Sequence, residues 1–154
     1  MTIIYVMRHG EAEPKTGVRP DDQRHLTSEG KERVMRNLVL AKESFGARID
    51  QIFSSPLVRA KETAEVAKGV FDSNRFEIEP SLAPTGTPYE IYGAMSKLDP
   101  SAQVLLVTHQ PLVTSLIADL IGSERIEMTT GSIAKIVQDG ENSIKSSVLE
   151  WLIN

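Results

Sequence analysis

Two histidines of this chain stand at equivalent places. Arg8-His9-Gly10-Glu11 follows the apolar run Ile3-Ile4-Tyr5-Val6-Met7, and Thr108-His109 follows Val104-Leu105-Leu106-Val107. Each run has strand length and strand composition, so each reads as a buried strand that ends at an imidazole. A third segment carries Ser54-Ser55-Pro56 and then Arg59. Arginine forks grip tetrahedral oxyanions, helix N-termini offer N–H groups to the same anions, and a neutral imidazole beside such cations is a nucleophile toward phosphorus. The chemistry available to this set is phosphoryl transfer. His9 would be the in-line nucleophile, Arg8, Arg59 and a third candidate, Arg24, would neutralise the equatorial oxygens, and His109 would donate a hydrogen bond or a charge.

Singly, each signal is weak. Arg-His-Gly also suits a polar surface loop, His109 a structural histidine, and Arg59 a solvated helix charge. Their concurrence at one edge of the fold, in a chain with more acids than bases, is what points to an anionic ligand.

That edge follows from the order of elements. After the first strand, Glu11 to Leu26 is polar and broken by Pro14, Gly17 and Pro20. Thr27 then offers an N-cap to a helix whose Val34, Leu38, Ala41 and Phe45 share a face. Ile49 to Phe53 is a short strand, and Ser55-Pro56 reads as a serine cap with proline at the first helical position, leading to the small face Ala60, Thr63, Ala64 and Ala67. Phe76 to Glu79 is a strand near an edge, Leu82 to Pro88 a loop, and Tyr89 to Leu98 a helix. The strand ending at His109 is followed by a helix opening with Pro111 and carrying Leu112, Val113, Leu116, Ile117, Leu120 and Ile121. Ile133 to Val137 and Ser146 to Leu152 flank Asp139-Gly140, which predicts a terminal hairpin. Alternating strands and helices predict an α/β fold: a three-layer α/β/α sandwich with a mostly parallel central sheet and a C-terminal hairpin. Ligands of such sheets bind beyond the carboxyl ends of the strands, where Arg8, His9, Ser54, Ser55, Thr108 and His109 all fall.

The chain has 154 residues, enough for one domain over 1–154 with one real core. Seventeen Lys and Arg against 21 Asp and Glu give a net charge of -4, which disfavours a general nucleic-acid or membrane-surface binder. There is no cysteine, which excludes disulfides, thiol catalysis and thiolate metal sites and makes a reducing, cytoplasmic location the expectation. The five-residue apolar run at the N-terminus is too short for a signal peptide or a membrane span, so a soluble chain whose fold begins at Met1 is expected. No phosphate-loop or dinucleotide motif occurs, and neither His9 nor His109 has a histidine neighbour at ligand spacing, so neither a cofactor nor a metal is expected. No heptad or isolated apolar stripe advertises an interface, and a monomer is the expectation.

Together, Arg8-His9-Gly10-Glu11, Leu26-Thr27 with Gly30, Ser54-Ser55-Pro56 with Arg59-Ala60 and Thr63-Ala64, and Thr108-His109 resemble the histidine phosphatase, or phosphoglycerate-mutase-like, superfamily. The small size without a cap domain, the Arg24-His25-Leu26-Thr27-Ser28-Glu29-Gly30 stretch and Thr129-Thr130-Gly131-Ser132-Ile133-Ala134 are most similar to its short phosphohistidine phosphatases of the SixA type. The resemblance implies that His9 is phosphorylated in the reaction and that Arg8, Arg59 and His109 complete the phosphate pocket. It further implies Arg24, Gly10, Ser55 and Gln110 as contributors to phosphate binding, and a phosphohistidine-bearing protein, such as a histidine-containing phosphotransfer domain, as the partner. His25 departs from the pattern, which has proline before Leu-Thr.

Ester-cleaving members of that superfamily carry an acid after the third strand, where this chain reads Ser81-Leu82-Ala83-Pro84-Thr85. An alkoxide needs a proton donor, whereas an imidazole, with a pKa of about 6.5, can leave already protonated. The gap favours cleavage of P–N bonds. Glu11, Glu13 and Glu90 are the carboxylates that could substitute from other segments. Two alternatives stand beside the phosphohistidine phosphatase: a small-molecule phosphomonoesterase or mutase, and a non-catalytic phosphate-binding module.

Overall fold

The computed structural model describes residues 1–16, 18–139 and 147–154. Its elements run β1 (Thr2–Arg8), α1 (Ser28–Phe45), β2 (Gln51–Ser54), α2 (Val58–Phe71), β3 (Phe76–Ile78), α3 (Pro88–Met95), β4 (Val104–Thr108), α4 (Leu112–Ile121), β5 (Ile133–Gln138) and β6 (Ser147–Ile153), with 3-10 turns at Asp21–Gln23 and Pro80–Leu82. The sheet order is β3-β2-β4-β1-β5-β6. The first four strands in that order pair in parallel, and β5 and β6 are antiparallel additions beside β1.

The period of two within each central strand divides the core into two layers. Ile4 and Val6 of β1 and Val104 and Leu106 of β4 face α3 and α4, packing with Ile91, Leu112, Val113, Leu116, Ile117 and Leu120. Their neighbours Tyr5, Met7, Leu105 and Val107 face α1 and α2, packing with Val34, Leu38, Ala41, Ala60, Ala64 and Ala67. The alanine face lets α2 lie close to the sheet, and that closeness brings Arg59 to the strand ends. Truncating a fully buried aliphatic such as Leu116 or Leu38 to alanine costs about 2–5 kcal/mol in cores of this kind.

The three-layer sandwich, the largely parallel sheet and the edge position of β3 match the sequence expectations. Only the Pro80–Leu82 turn and the eight-residue α3 stand between β3 and β4, so no cap domain covers the strand ends. Thr27 caps α1 as expected, its hydroxyl accepting from the Gly30 N–H at 2.9 Å.

Three local expectations are corrected. α2 begins at Val58 with Leu57 as its N-cap, not at Pro56 behind a Ser55 cap, because the Ser55 hydroxyl accepts from Leu57 N–H in a turn and is also engaged by His109. The polar stretch after β1 contains a 3-10 turn at Asp21–Gln23, which Arg24 and Arg59 hold by hydrogen bonds to Asp21. Phe45, placed by periodicity on the buried face of α1, is half-exposed at the helix end and stacks obliquely on Trp151, with ring centroids 5.3 Å apart. The Asp139-Gly140 turn lies in part outside the described residues.

Candidate active site

The register of the three central strands builds the site. Arg8 pairs with Thr108 and Ser54 with Val107, and one residue further on His9 N–H donates to Thr108 O while Ser55 N–H donates to Val107 O, both at 3.0 Å. Ser55, His109 and His9 therefore leave adjacent strands β2, β4 and β1 side by side. The two imidazole centroids are 5.0 Å apart. Both rings are buried, with His9 8% and His109 1% exposed.

His9 is fixed at both ring nitrogens. Its Nδ1 lies 2.7 Å from Gly10 O, which can only accept, so Nδ1 carries the proton and Nε2 keeps its lone pair. Arg59 Nε donates to that Nε2 at 3.3 Å. Burial, opposed by the Gly10 hydrogen bond and reinforced by Arg59, Arg8 and Arg24, lowers His9 from 6.5 to about 4. Burial, with His9 and Arg59 adding to it, lowers His109 to about 3. Both are neutral near pH 7, so His9 Nε2 is unprotonated among arginines, as a nucleophile toward phosphorus would have to be.

The arginines come from three segments. Arg59, 5% exposed on the first turn of α2, leans back toward the helix start as helical side chains do, and reaches the strand ends. Arg8 Nη1 donates to Met128 O at 2.8 Å, which anchors its fork, while its buried Nε has no partner. Arg24 is held by Glu13 O at 2.5 Å and by Asp21. The structure thus brings together Arg8, His9, Arg59 and His109, and Arg24 joins them through Asp21.

The remaining candidates stand differently. Gly10 N–H donates to Thr63 Oγ1 at 3.0 Å, and a Cβ on Gly10 would sit 2.7 Å from Val34 Cγ2, so its service is close packing of the loop on α1 and α2. Gln110 is exposed and turns its amide to Thr114 Oγ1 within α4. Ser55 meets the site through His109, whose Nε2 is 2.6 Å from the serine oxygen. Glu90 closes a capping box with Thr87 on α3, and Glu13 accepts from His25 N–H and pairs with Arg19.

Two acidic contributors escaped the sequence reading. Asp21 Oδ1 accepts from Arg24 Nε at 3.0 Å and pairs with Nη2 at 2.9 Å, while Oδ2 accepts from Arg59 Nη2 at 3.3 Å. Against the push of burial, Arg59 and Arg24 hold its carboxyl below the ordinary range. The spacing of Asp21 and Arg24, three apart, was the available signal. Glu62, one turn beyond Arg59, receives His25 Nδ1 at 2.6 Å and Leu26 N–H at 2.7 Å, which ties the Arg24 segment to α2. His25 thus replaces the expected proline with a side-chain anchor. Among the described residues, no three His, Asp or Glu side chains group to hold a metal ion.

The site is a buried neutral histidine with an unprotonated Nε2 facing Arg59, a second histidine beside it, and arginines from three segments. The family model for the histidine phosphatase superfamily (branch 1) matches residues 4–84. This chain belongs to the histidine phosphatase superfamily. It is similar to a phosphohistidine phosphatase SixA homolog of Haemophilus influenzae, 33% identical over 150 residues that cover 91% of this chain and 90% of the relative. It is also similar to phosphohistidine phosphatase SixA of Escherichia coli, 30% identical over 88% of this chain and 85% of that protein. Among solved structures, the protein histidine phosphatase SixA complexed with tungstate superposes with a TM-score of 0.86 and 26% identity, covering 99% of this chain and 96% of the other. The matched segment contains Arg8, His9, Arg24 and Arg59, and His109 lies beyond it.

Proposed function

We propose that this protein is a phosphohistidine phosphatase that removes phosphate from a histidine of a signalling or phosphocarrier protein through a phosphorylated His9. His9 Nε2 attacks phosphorus, the P–N bond to the substrate imidazole breaks, and its electron pair stays with that imidazole, which leaves carrying the proton on its other nitrogen. Water then attacks phospho-His9, the P–Nε2 bond breaks, and inorganic phosphate departs with the protons of the water. His9 returns as the neutral Nδ1–H imidazole it was, with Gly10 O accepting throughout. Arg8, Arg59 and Arg24 stabilise the equatorial oxygens, and His109 contributes a donor.

The observation that carries this reading is the lack of a free acid where an alkoxide would need one. The turn after β3 reaches β4, where Thr108 Oγ1 donates to Leu82 O at 2.7 Å, but its residues Pro80, Ser81 and Leu82 include no carboxylate. The carboxylate of that segment, Glu79, is turned back on Ser81 N–H and Oγ. The lack of an inserted domain between β3 and β4 suits a macromolecular substrate, and the names of the two relatives support the same substrate class.

One observation favours hydrolysis of small esters instead, namely the Asp21 carboxylate among the arginines. Those arginines keep it ionised near pH 7, which makes it a poor proton donor. The deciding experiment compares initial rates of phosphate release from a phosphohistidine-bearing phosphotransfer domain and from an aryl phosphomonoester, with His9→Ala protein as the blank. A dominant phosphohistidine rate over a dead blank is expected. Preference for the ester overturns the substrate assignment, and turnover by His9→Ala overturns the mechanism.

A further inference from the structure

We infer that Ser55 is a positioning residue that fixes the tautomer of His109, holding Nδ1 as the protonated, donating nitrogen. The inference rests on the reading of His109 as a donor to the phosphoryl group.

His109 is neutral, so one ring nitrogen donates and the other accepts. Nε2 is 2.6 Å from Ser55 Oγ, and Nδ1 is buried with no partner. The serine oxygen already accepts from Leu57 N–H at 3.2 Å. If Nε2 held the proton and donated to the serine, the serine hydroxyl proton would have no acceptor among the bonds that Ser55 makes, and the Nδ1 lone pair would also be unmatched. If Nε2 accepts from the hydroxyl, both serine functions are matched, and the one unsatisfied group is the Nδ1 N–H. The hydrogen-bond network therefore assigns the second arrangement. An imidazole tautomer is set by the partner of the opposite nitrogen, and here that partner is a hydroxyl with a single direction left for its proton.

The serine itself cannot drift. Its side chain is fully buried, its N–H donates to Val107 O at 3.0 Å, and its carbonyl accepts from Ser54 Oγ at 2.9 Å. On the other side, His109 O accepts from Val113 N–H in the first turn of α4. What remains is one buried, unsatisfied N–H on a ring whose centroid is 5.0 Å from that of His9. A phosphoryl oxygen on His9 Nε2 is the acceptor that this donor lacks. His9 and His109 would then be held in the same tautomer for opposite purposes: His9 keeps Nε2 bare to attack, and His109 keeps Nδ1 protonated to donate.

The test begins without substrate. Nitrogen-15 NMR of histidine-labelled full-length protein at pH 7 should show His109 in the Nδ1–H form, and a predominant Nε2–H form overturns the inference whatever the enzyme's substrate proves to be. Ser55→Ala should mix the tautomers and weaken inorganic phosphate binding on the order of tenfold, with Ser55→Thr restoring both. In a His109→Ala background, Ser55→Ala should cause no further loss of phosphate affinity. An equal loss in both backgrounds means that Ser55 acts by some route other than His109 and overturns the inference. Failure of the phosphohistidine rate comparison would instead count against the proposed activity and would leave the tautomer result intact.

Discussion

Arg59 Nε points at His9 Nε2 across 3.3 Å, while Arg59 Nη1 and Nη2 hold the backbone oxygen and carboxylate of Asp21. One guanidinium thus touches His9, the proposed nucleophile, and tethers the loop that carries Arg24. Lysine, with a single ammonium, cannot do both. Arg59→Lys is expected to lower kcat/KM on the order of a hundredfold with little change in folding, measured as phosphate release. A loss under threefold would show that the fork is dispensable.

Asp21 occupies donors of Arg24 and Arg59 that an oxyanion would use. Asp21→Asn keeps the shape and removes the competing charge, so inorganic phosphate should inhibit more strongly, by about tenfold, a figure equal to about 1.4 kcal/mol. Competitive inhibition constants give the answer. Weaker inhibition would mean that Asp21 organises the arginines rather than competing for them.

The pH dependence follows from the two histidines. Their folded values, about 4 for His9 and about 3 for His109, lie below the ordinary 6.5. Below pH 6.5 the unfolded chain therefore binds more protons than the folded one, and stability falls as acid is added. Between about pH 7 and about pH 5 the loss is on the order of 2 kcal/mol for each histidine. Urea midpoints should drop over that range in the wild type and drop less in His109→Asn. If His9 is the nucleophile as proposed, the acid limb of phosphoryl transfer should likewise lie near pH 5 or below, and a limb at pH 6.5 would contradict a desolvated His9 in that role.

Gly30 packs directly on the loop that holds His9. A Cβ there would overlap the Glu11 carbonyl oxygen, a backbone atom that cannot turn aside. Gly30→Ala should cost about 1–3 kcal/mol in thermal or chemical unfolding and lower activity through displacement of Arg8-His9-Gly10. The exposed Gly69, whose Cβ would meet nothing within 4 Å, is the control, and Gly69→Ala should be neutral or slightly stabilising. Equal effects at the two positions would refute the packing argument.

Strand length and β-branching made β1 and β4 legible, and the histidines at their ends followed from that. The Thr27 cap, the alanine face of α2 and the stripe of α4 were legible by local spacing, as was the α/β order that puts His9, Arg59 and His109 at one edge. Only the tertiary structure decided that β4 lies between β1 and β2, which sets His109 beside His9 and Ser55 beside His109. The same holds for the contacts of Asp21 with Arg59, Glu62 with His25, and Arg8 with Met128 O. Periodicity reports which face of an element is buried, because burial repeats along the chain. It carries no record of which strands become neighbours or where a loop side chain finds its charge partner, since those depend on contacts between residues tens to more than a hundred positions apart.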